Sequence, residues 1–186
     1  MQKQRAQWQS QMAEEPAANL IFLDESGITT EMTRRYGRGE GGQRVPEGTP
    51  GRWRTLTVLG AISLTGWVAT MTIEAPTDGD VFRAYVEQVL CPRLRPGQLV
   101  VMDNLSAHKI EGIRERIEAA GARVCYLPPY SPDYNPIERC WAQVKQYLRA
   151  SKARTVAALE TALIAALDSV RVSHVSAYFR ASGYAA

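Results

Sequence analysis

Two stretches in the second half of the chain constrain it most. Leu99-Val-Val-Met-Asp103-Asn104 is an apolar run stopped by an acid. Leu127-Pro-Pro-Tyr-Ser-Pro-Asp-Tyr-Asn-Pro-Ile-Glu138 is a proline-rich loop running into a helix. Its prolines exclude helix and central strand up to Asn135. Asn135 then reads as an N-cap and Pro136 as the first helical residue, with Ile137, Trp141, Val144 and Leu148 on one face. A third segment, Asn19-Leu-Ile-Phe-Leu-Asp24, is again a short apolar run ending in an acid, the pattern of a buried strand. An acid in such a place is costly unless it is paired, solvated or metal-bound. Asp24, Asp103 and Glu138 are therefore expected to share one site.

The rest of the chain supplies the frame. Residues 1–18 are polar and end in Glu14-Glu-Pro-Ala-Ala, which suggests the tail of a linker helix or a partly disordered arm. After Asp24, Glu25-Ser-Gly27 is expected to turn the chain. Leu56–Leu64 and Trp67–Ile73 read as two strands joined by a tight turn at Thr65-Gly66. With the first strand they make an antiparallel unit. Asp80–Leu90 has helical spacing, Leu99–Met102 is a strand, Ile110–Ala120 a helix and Arg123–Leu127 another strand. Such alternation argues parallel pairing, with ligands beyond the carboxyl ends of the strands, where Asp103 sits. Thr155–Val170 is expected to be a further helix, and Ser173–Tyr184 a short helix or tail. The expectation is one mixed α/β domain over residues 19–186, a five-stranded sheet flanked by helices.

Charge is only mildly basic, +3 over 186 residues, so its distribution matters more than its sum. Gly-rich residues 31–54 carry Arg34, Arg35, Arg38, Arg44, Arg52 and Arg54 against three glutamates. This is either a plain surface loop or a basic loop that reaches phosphates. Gly37-Arg-Gly-Glu-Gly-Gly42 matches G-x-G-x-x-G formally, but no strand leads into it and no helix follows, so it is no dinucleotide site. Arg139 to Arg154 holds five basic and no acidic residues. Lys145 shares the azimuth of Glu138, two turns on, and Arg149 and Lys152 continue that face. Cys91, Cys125 and Cys140 show no paired spacing, and no signal-like or spanning segment occurs, so a cytoplasmic setting is the default.

Glu138 has a plain alternative role: as the third helical residue after Asn135 it would close a capping box. The basic stripe beside it favours a metal held against a polyanion. Carboxylate oxygens suit Mg²⁺, and two such ions about 4 Å apart activate an attacking oxygen and stabilise a leaving one.

These residues resemble the catalytic domain of DDE transposases of the mariner-type superfamily, in its bacterial insertion-sequence branch. The resemblance covers about residues 19–175 and rests on Phe22-Leu-Asp24-Glu-Ser-Gly, Val101-Met-Asp103-Asn104-Leu-Ser-Ala-His108-Lys and the Leu127–Glu138 loop. It implies an RNase H-like fold and two-metal DNA cutting and joining with Mg²⁺, for which Mn²⁺ substitutes. Asp24, Asp103 and Glu138 become the metal-binding catalytic triad, Asp24 bridging, with Asn104 and His108 nearby. It also implies a dimer or larger assembly on transposon-end and target DNA, in a nucleoid-associated protein. Family chains usually carry an upstream helix-turn-helix reader, which these 18 polar residues do not supply. Two rivals stand beside this reading: a nuclease of the same fold that cuts without joining, and a non-catalytic DNA-binding remnant.

Overall fold

The computed structural model describes residues 2–104 and 111–186. Five strands, β1 (Leu20–Thr29), β2 (Thr55–Ser63), β3 (Gly66–Ile73), β4 (Leu99–Met102) and β5 (Arg123–Tyr126), form one sheet in the order β3-β2-β1-β4-β5. β1, β2 and β3 pair antiparallel, whereas β4 and β5 join β1 in parallel. The described helices are α1 (Gln2–Ala13), α2 (Gly79–Tyr85), α3 (Ile113–Ala119), α4 (Pro136–Ser151), α5 (Val156–Asp168) and α6 (Val172–Ala181). Asp78 caps α2 by accepting from the backbone N–H groups of Asp80 and Val81, and Thr155 caps α5 through Ala158 N–H. None of the described helices is long and apolar enough to cross a membrane.

Strand alternation divides the core into two layers. Leu20, Phe22, Val58, Ile62, Leu99 and Val101 pack on the side of α1, α4, α5 and α6. Ile21, Leu23, Leu59, Ala61, Val100 and Met102 pack on the side of α2 and α3. By the same parity Asp24 belongs to the α4 side, and so does Asp103.

β1 runs further than its sequence suggests. Glu25-Ser-Gly27 does not turn; pairing with β2 continues from Asp24↔Gly60 to Thr29↔Thr55. Ser26 and Ile28 remain buried and Gly27 is exposed, which is ordinary strand alternation hidden by small and polar residues. Asp24 consequently sits inside a strand.

The N-terminal residues form a docked helix. Trp8 and Met12 are buried, and Trp8 stacks on Tyr134 with ring centroids 6.5 Å apart. Arg5 places its guanidinium 4.4 Å from the centre of the same ring and binds Asp133 at 2.5 Å and Ser131 Oγ at 2.9 Å. At the other end of the chain, Tyr184 donates to the Tyr134 carbonyl at 2.6 Å, and its ring lies 5.0 Å from Phe22.

Gly60 sets how closely α4 approaches the sheet. A Cβ there would stand 2.7 Å from Trp141 Cη2 and 2.9 Å from Trp67 Cζ3, the two indoles lying 4.9 Å apart over the bare backbone. Overpacking of this kind typically costs about 1–3 kcal/mol. Gly60→Ala is expected to lower Tm by several degrees and to reduce any activity that needs Glu138 near Asp24. Thermal unfolding and cleavage assays on the same sample would check both, and an unshifted Tm would show that the two indoles yield without cost.

Candidate active site

Two registers bring the acids together. Phe22 pairs with Val101 across β1 and β4, so Asp24 and Asp103, each two residues on, leave neighbouring strands on the same face. α4 then crosses that face with Glu138 in its first turn. Asp24 is buried, at 7% exposure, while Asp103 is half-buried and Glu138 exposed. The Asp24 carboxyl accepts from the Glu25 N–H at 2.8 Å, and the Asn135 amide reaches its other oxygen at 3.5 Å. Burial, then the charge of Glu138, pushes the Asp24 pKa up to about 8; Asp103 and Glu25 add to the rise and the Glu25 N–H opposes it.

Asn135 occupies the N-cap position, but its side chain caps nothing. Its amide turns to Asp24, its Oδ1 is buried without a partner, and its own N–H donates to the Pro132 carbonyl at 3.0 Å. The reciprocal capping box is therefore not formed. Asn104 donates to the Leu127 carbonyl, tying the end of β4 to the start of the proline-rich loop. His108 lies outside the described residues.

Two grooves meet at Glu138. One is lined by Glu138, Trp141, Lys145 and Arg149 of α4 and by Arg34, Arg35 and Tyr36 of the long loop. Burial and the neighbouring Arg149 and Arg35 weaken the hold of Lys145 on its proton, whereas Glu138 and Asp24 strengthen it. Arg149 is likewise disfavoured by burial and Arg35. Mutual repulsion among partly desolvated cations is relieved by an anion. The other groove is lined by Asp103, Asn104, Asn135 and Glu138 and by the loop from Leu127 to Pro132.

The remaining basic candidates stand elsewhere. Arg38, Arg44 and Arg52 are exposed on the long loop. Arg54 is paired with Glu74. Lys152 binds Glu47 at 2.7 Å, and Arg154 donates to the Thr30 and Met32 carbonyls at 3.1 and 2.9 Å. These last two fasten the loop to the end of α4.

The hard oxygen atoms of Asp24, Asp103 and Glu138 are a donor set whose chemistry suits Mg²⁺ or Mn²⁺. Among the described residues no three His, Cys, Asp or Glu side chains stand at metal-ligating distance, so the acids face one another without closing into a cage.

The model for the DDE superfamily endonucleases matches residues 19–160. The chain belongs to this family. The comparison with curated proteins by sequence found no match. Among solved structures this DDE endonuclease domain is similar to a pre-cleavage Mos1 transpososome, with TM-score 0.72 at 12% identity over 97% of this chain and 56% of that one. It is also similar to the mariner Mos1 paired end complex with Mg, with TM-score 0.70 at 15% identity over 97% and 56%. The catalytic domain of Mos1 mariner transposase gives TM-score 0.64 at 11% identity over 97% and 83%. The DDE domain thus shares the RNase H-like fold, and spans about half the length of the transposase chains in the two complexes.

Sequence reasoning missed Asn135 as a partner of Asp24, because Asn-Pro reads first as a helix start. It also missed Tyr36 and Tyr130 in the two grooves; an aromatic in a glycine- or proline-rich loop was the available signal.

The Asp24 shift has a thermodynamic consequence. Folded, the carboxyl keeps its proton up to about pH 8; unfolded, it loses it near the ordinary value of about 4. Between those values the unfolded state binds fewer protons, so stability falls as pH rises. Asp24→Asn is expected to stabilise the metal-free protein by on the order of a few kcal/mol, more at pH 8 than at pH 5, and so to raise its Tm. Unfolding scans across that range check the sign, and a lower Tm for Asp24→Asn at pH 8 contradicts it.

Proposed function

We propose that this chain is the catalytic domain of a DNA transposase, which hydrolyses a phosphodiester at a transposon end and joins the freed 3′-hydroxyl to target DNA. The observation that carries the reading is the approach of Asp24, Asp103 and Glu138 on one face of the sheet, beside a groove lined by Arg34, Arg35, Lys145 and Arg149. The mariner Mos1 paired end complex with Mg supports a divalent cofactor, Mg²⁺ with Mn²⁺ as substitute. Asp24, Asp103 and Glu138 would hold two such ions. When bound, the ions supply the Lewis acidity that activates the attacking oxygen and carries charge on the leaving one.

The chain's own residues do the rest. Asn135 fixes the orientation of the Asp24 carboxyl, and Asn104 anchors the loop that walls the second groove. Arg34, Arg35, Lys145 and Arg149 hold the phosphates of the strand on the outer side of α4, without reading bases. In this reading residues 19–186 are the catalytic unit, residues 1–18 the arm that enters it, and the working state a dimer or larger assembly on paired ends, close to the nucleoid. Similarity to a nuclease of the same fold remains the chemical rival, and strand joining separates the two.

Supercoiled plasmid with Mg²⁺ or Mn²⁺ provides the test. The wild-type chain should nick it and join a supplied 3′-hydroxyl end. Asp103→Asn and Glu138→Gln should each cut nicking by about a thousandfold or more while leaving Tm within a degree or two. Unchanged nicking by either variant would remove that acid from the mechanism, and nicking without joining would make the protein a nuclease.

Binding should be governed by phosphates. Affinity should fall steeply with salt, with Kd on the order of 10⁻⁴–10⁻⁶ M at physiological ionic strength and little preference among sequences. Arg35→Ala and Arg149→Ala should weaken all sequences alike and flatten the salt dependence by about one unit each. An anisotropy titration that found a hundredfold preference for one sequence would show that this domain reads bases.

A further inference from the structure

The groove beneath the proline-rich loop differs in kind from the basic one. Both include Glu138, so a strand whose phosphates follow the basic groove to the acids continues into the second groove. Among the described residues lining this second groove there is no lysine or arginine. What it offers is Pro128, Pro129, Pro132 and the ring of Tyr130.

Tyr130 is unusual on two counts. Its side chain is 89% exposed in a loop where Leu127, Ser131 and Tyr134 are all buried. Its backbone has φ +54°, the left-handed region, which a bulky residue adopts only at a cost. The surroundings hold it there. Asn104 fixes the Leu127 carbonyl on one side; on the other, Ser131 Oγ accepts from Arg5 and donates to the Pro129 carbonyl at 3.2 Å. Tyr184 holds the Tyr134 carbonyl, and Trp8 stacks on the Tyr134 ring. A large ring is thus kept in water, at an unfavourable φ, by contacts from β4, α1 and the C-terminal segment. Packing does not require that ring, since almost none of it is buried.

We infer that Tyr130 is a stacking platform for an unpaired nucleobase next to the phosphate held at Asp103 and Glu138, a reading that rests on the proposed DNA-cutting function. An aromatic face accepts any base, so it grips a strand in a groove whose described lining offers no cation to the phosphates. A base within a duplex already stacks on its neighbours; the ring therefore selects DNA that is frayed or opened at the reacting phosphate. α1 acts here through the loop: Arg5 and Trp8 are positioning residues for Tyr130.

The full chain, in buffer without divalent cation, is titrated with two probes. One is a short duplex ending in an unpaired flap with 2-aminopurine beside the junction; the other is the same duplex fully paired. The wild type is expected to quench the flap fluorescence. Tyr130→Ala should lose the quench and bind the flap about tenfold more weakly, with affinity for the paired duplex unchanged. Tyr130→Phe and Tyr130→Trp should behave as wild type. Tyr130→Gly should lose the quench yet raise Tm, because glycine takes the left-handed backbone without cost. The inference is overturned if Tyr130→Ala keeps the quench, if it weakens both probes equally, or if Tyr130→Phe fails as Tyr130→Ala does. It is equally overturned if Tyr130→Ala alters only self-association, which would make the ring a protein contact. If the wild type nicks plasmid while Tyr130→Ala matches it throughout, this inference alone fails; if the wild type neither binds DNA nor nicks plasmid, the proposed function fails first.

Discussion

The close approach of α4 to the centre of the sheet is the contact on which the site depends. Trp141 lies directly over Gly60, and Gly60 is the β2 partner of Asp24. Glu138 precedes Trp141 by three residues, about one helical turn, so anchoring the indole fixes the acid above the strand pair. The parallel register of β1 and β4 supplies the second constraint by putting Asp24 and Asp103 side by side on the α4 face. Neither constraint is a property of the acids. Both are packing facts, and the site is their consequence.

That arrangement is electrostatically unfavourable for the fold. A buried carboxyl among other carboxyls resists ionisation, as the raised pKa of Asp24 records. The apolar layers on either side of the sheet hold it in place, Leu20 and Phe22 toward α4 and Ile21 and Leu23 toward α2. Basic residues divide between two tasks. Lys152 and Arg154 bind Glu47 and the backbone, fastening the long loop to the end of α4. Arg34, Arg35, Lys145 and Arg149 crowd one groove, where their repulsion matches a polyanion. The first group gives the loop its position, and the second depends on that position.

The sheet was legible in the sequence wherever side chains alternate or run continuously apolar, which covers β2 to β5 and most of β1. The end of β1 was hidden because Ser26 and Gly27 look like turn residues until β2 is seen pairing with them. The three acids stood out in the sequence beside two apolar runs and a helix start; the burial of Asp24 within a longer strand was not legible, since it depends on β2 pairing and on α4 crossing the strands. Helix α1 has almost no amphipathic pattern; its two buried residues, Trp8 and Met12, dock it together with the Arg5 contacts to Ser131, Asp133 and Tyr134. The Asn135 amide was read as a cap because local chemistry favours that use, yet the tertiary contact with Asp24 takes it. Likewise, a run of basic residues does not show which of them will find an acid such as Glu47 once the loop folds back.

The division into two grooves separates affinity from reaction. Lys145 and Arg149 lie along α4 about two and three turns beyond Glu138, so in the proposed function phosphate attraction acts on the strand beyond the acids. At the acids themselves no described cation lines the second groove, and positioning there falls to uncharged groups. This separation suits a phosphoryl-transfer site. Burial and the charge of Glu138 raise the pKa of Asp24, and in the proposed function a divalent ion arriving with the phosphate would relieve that repulsion.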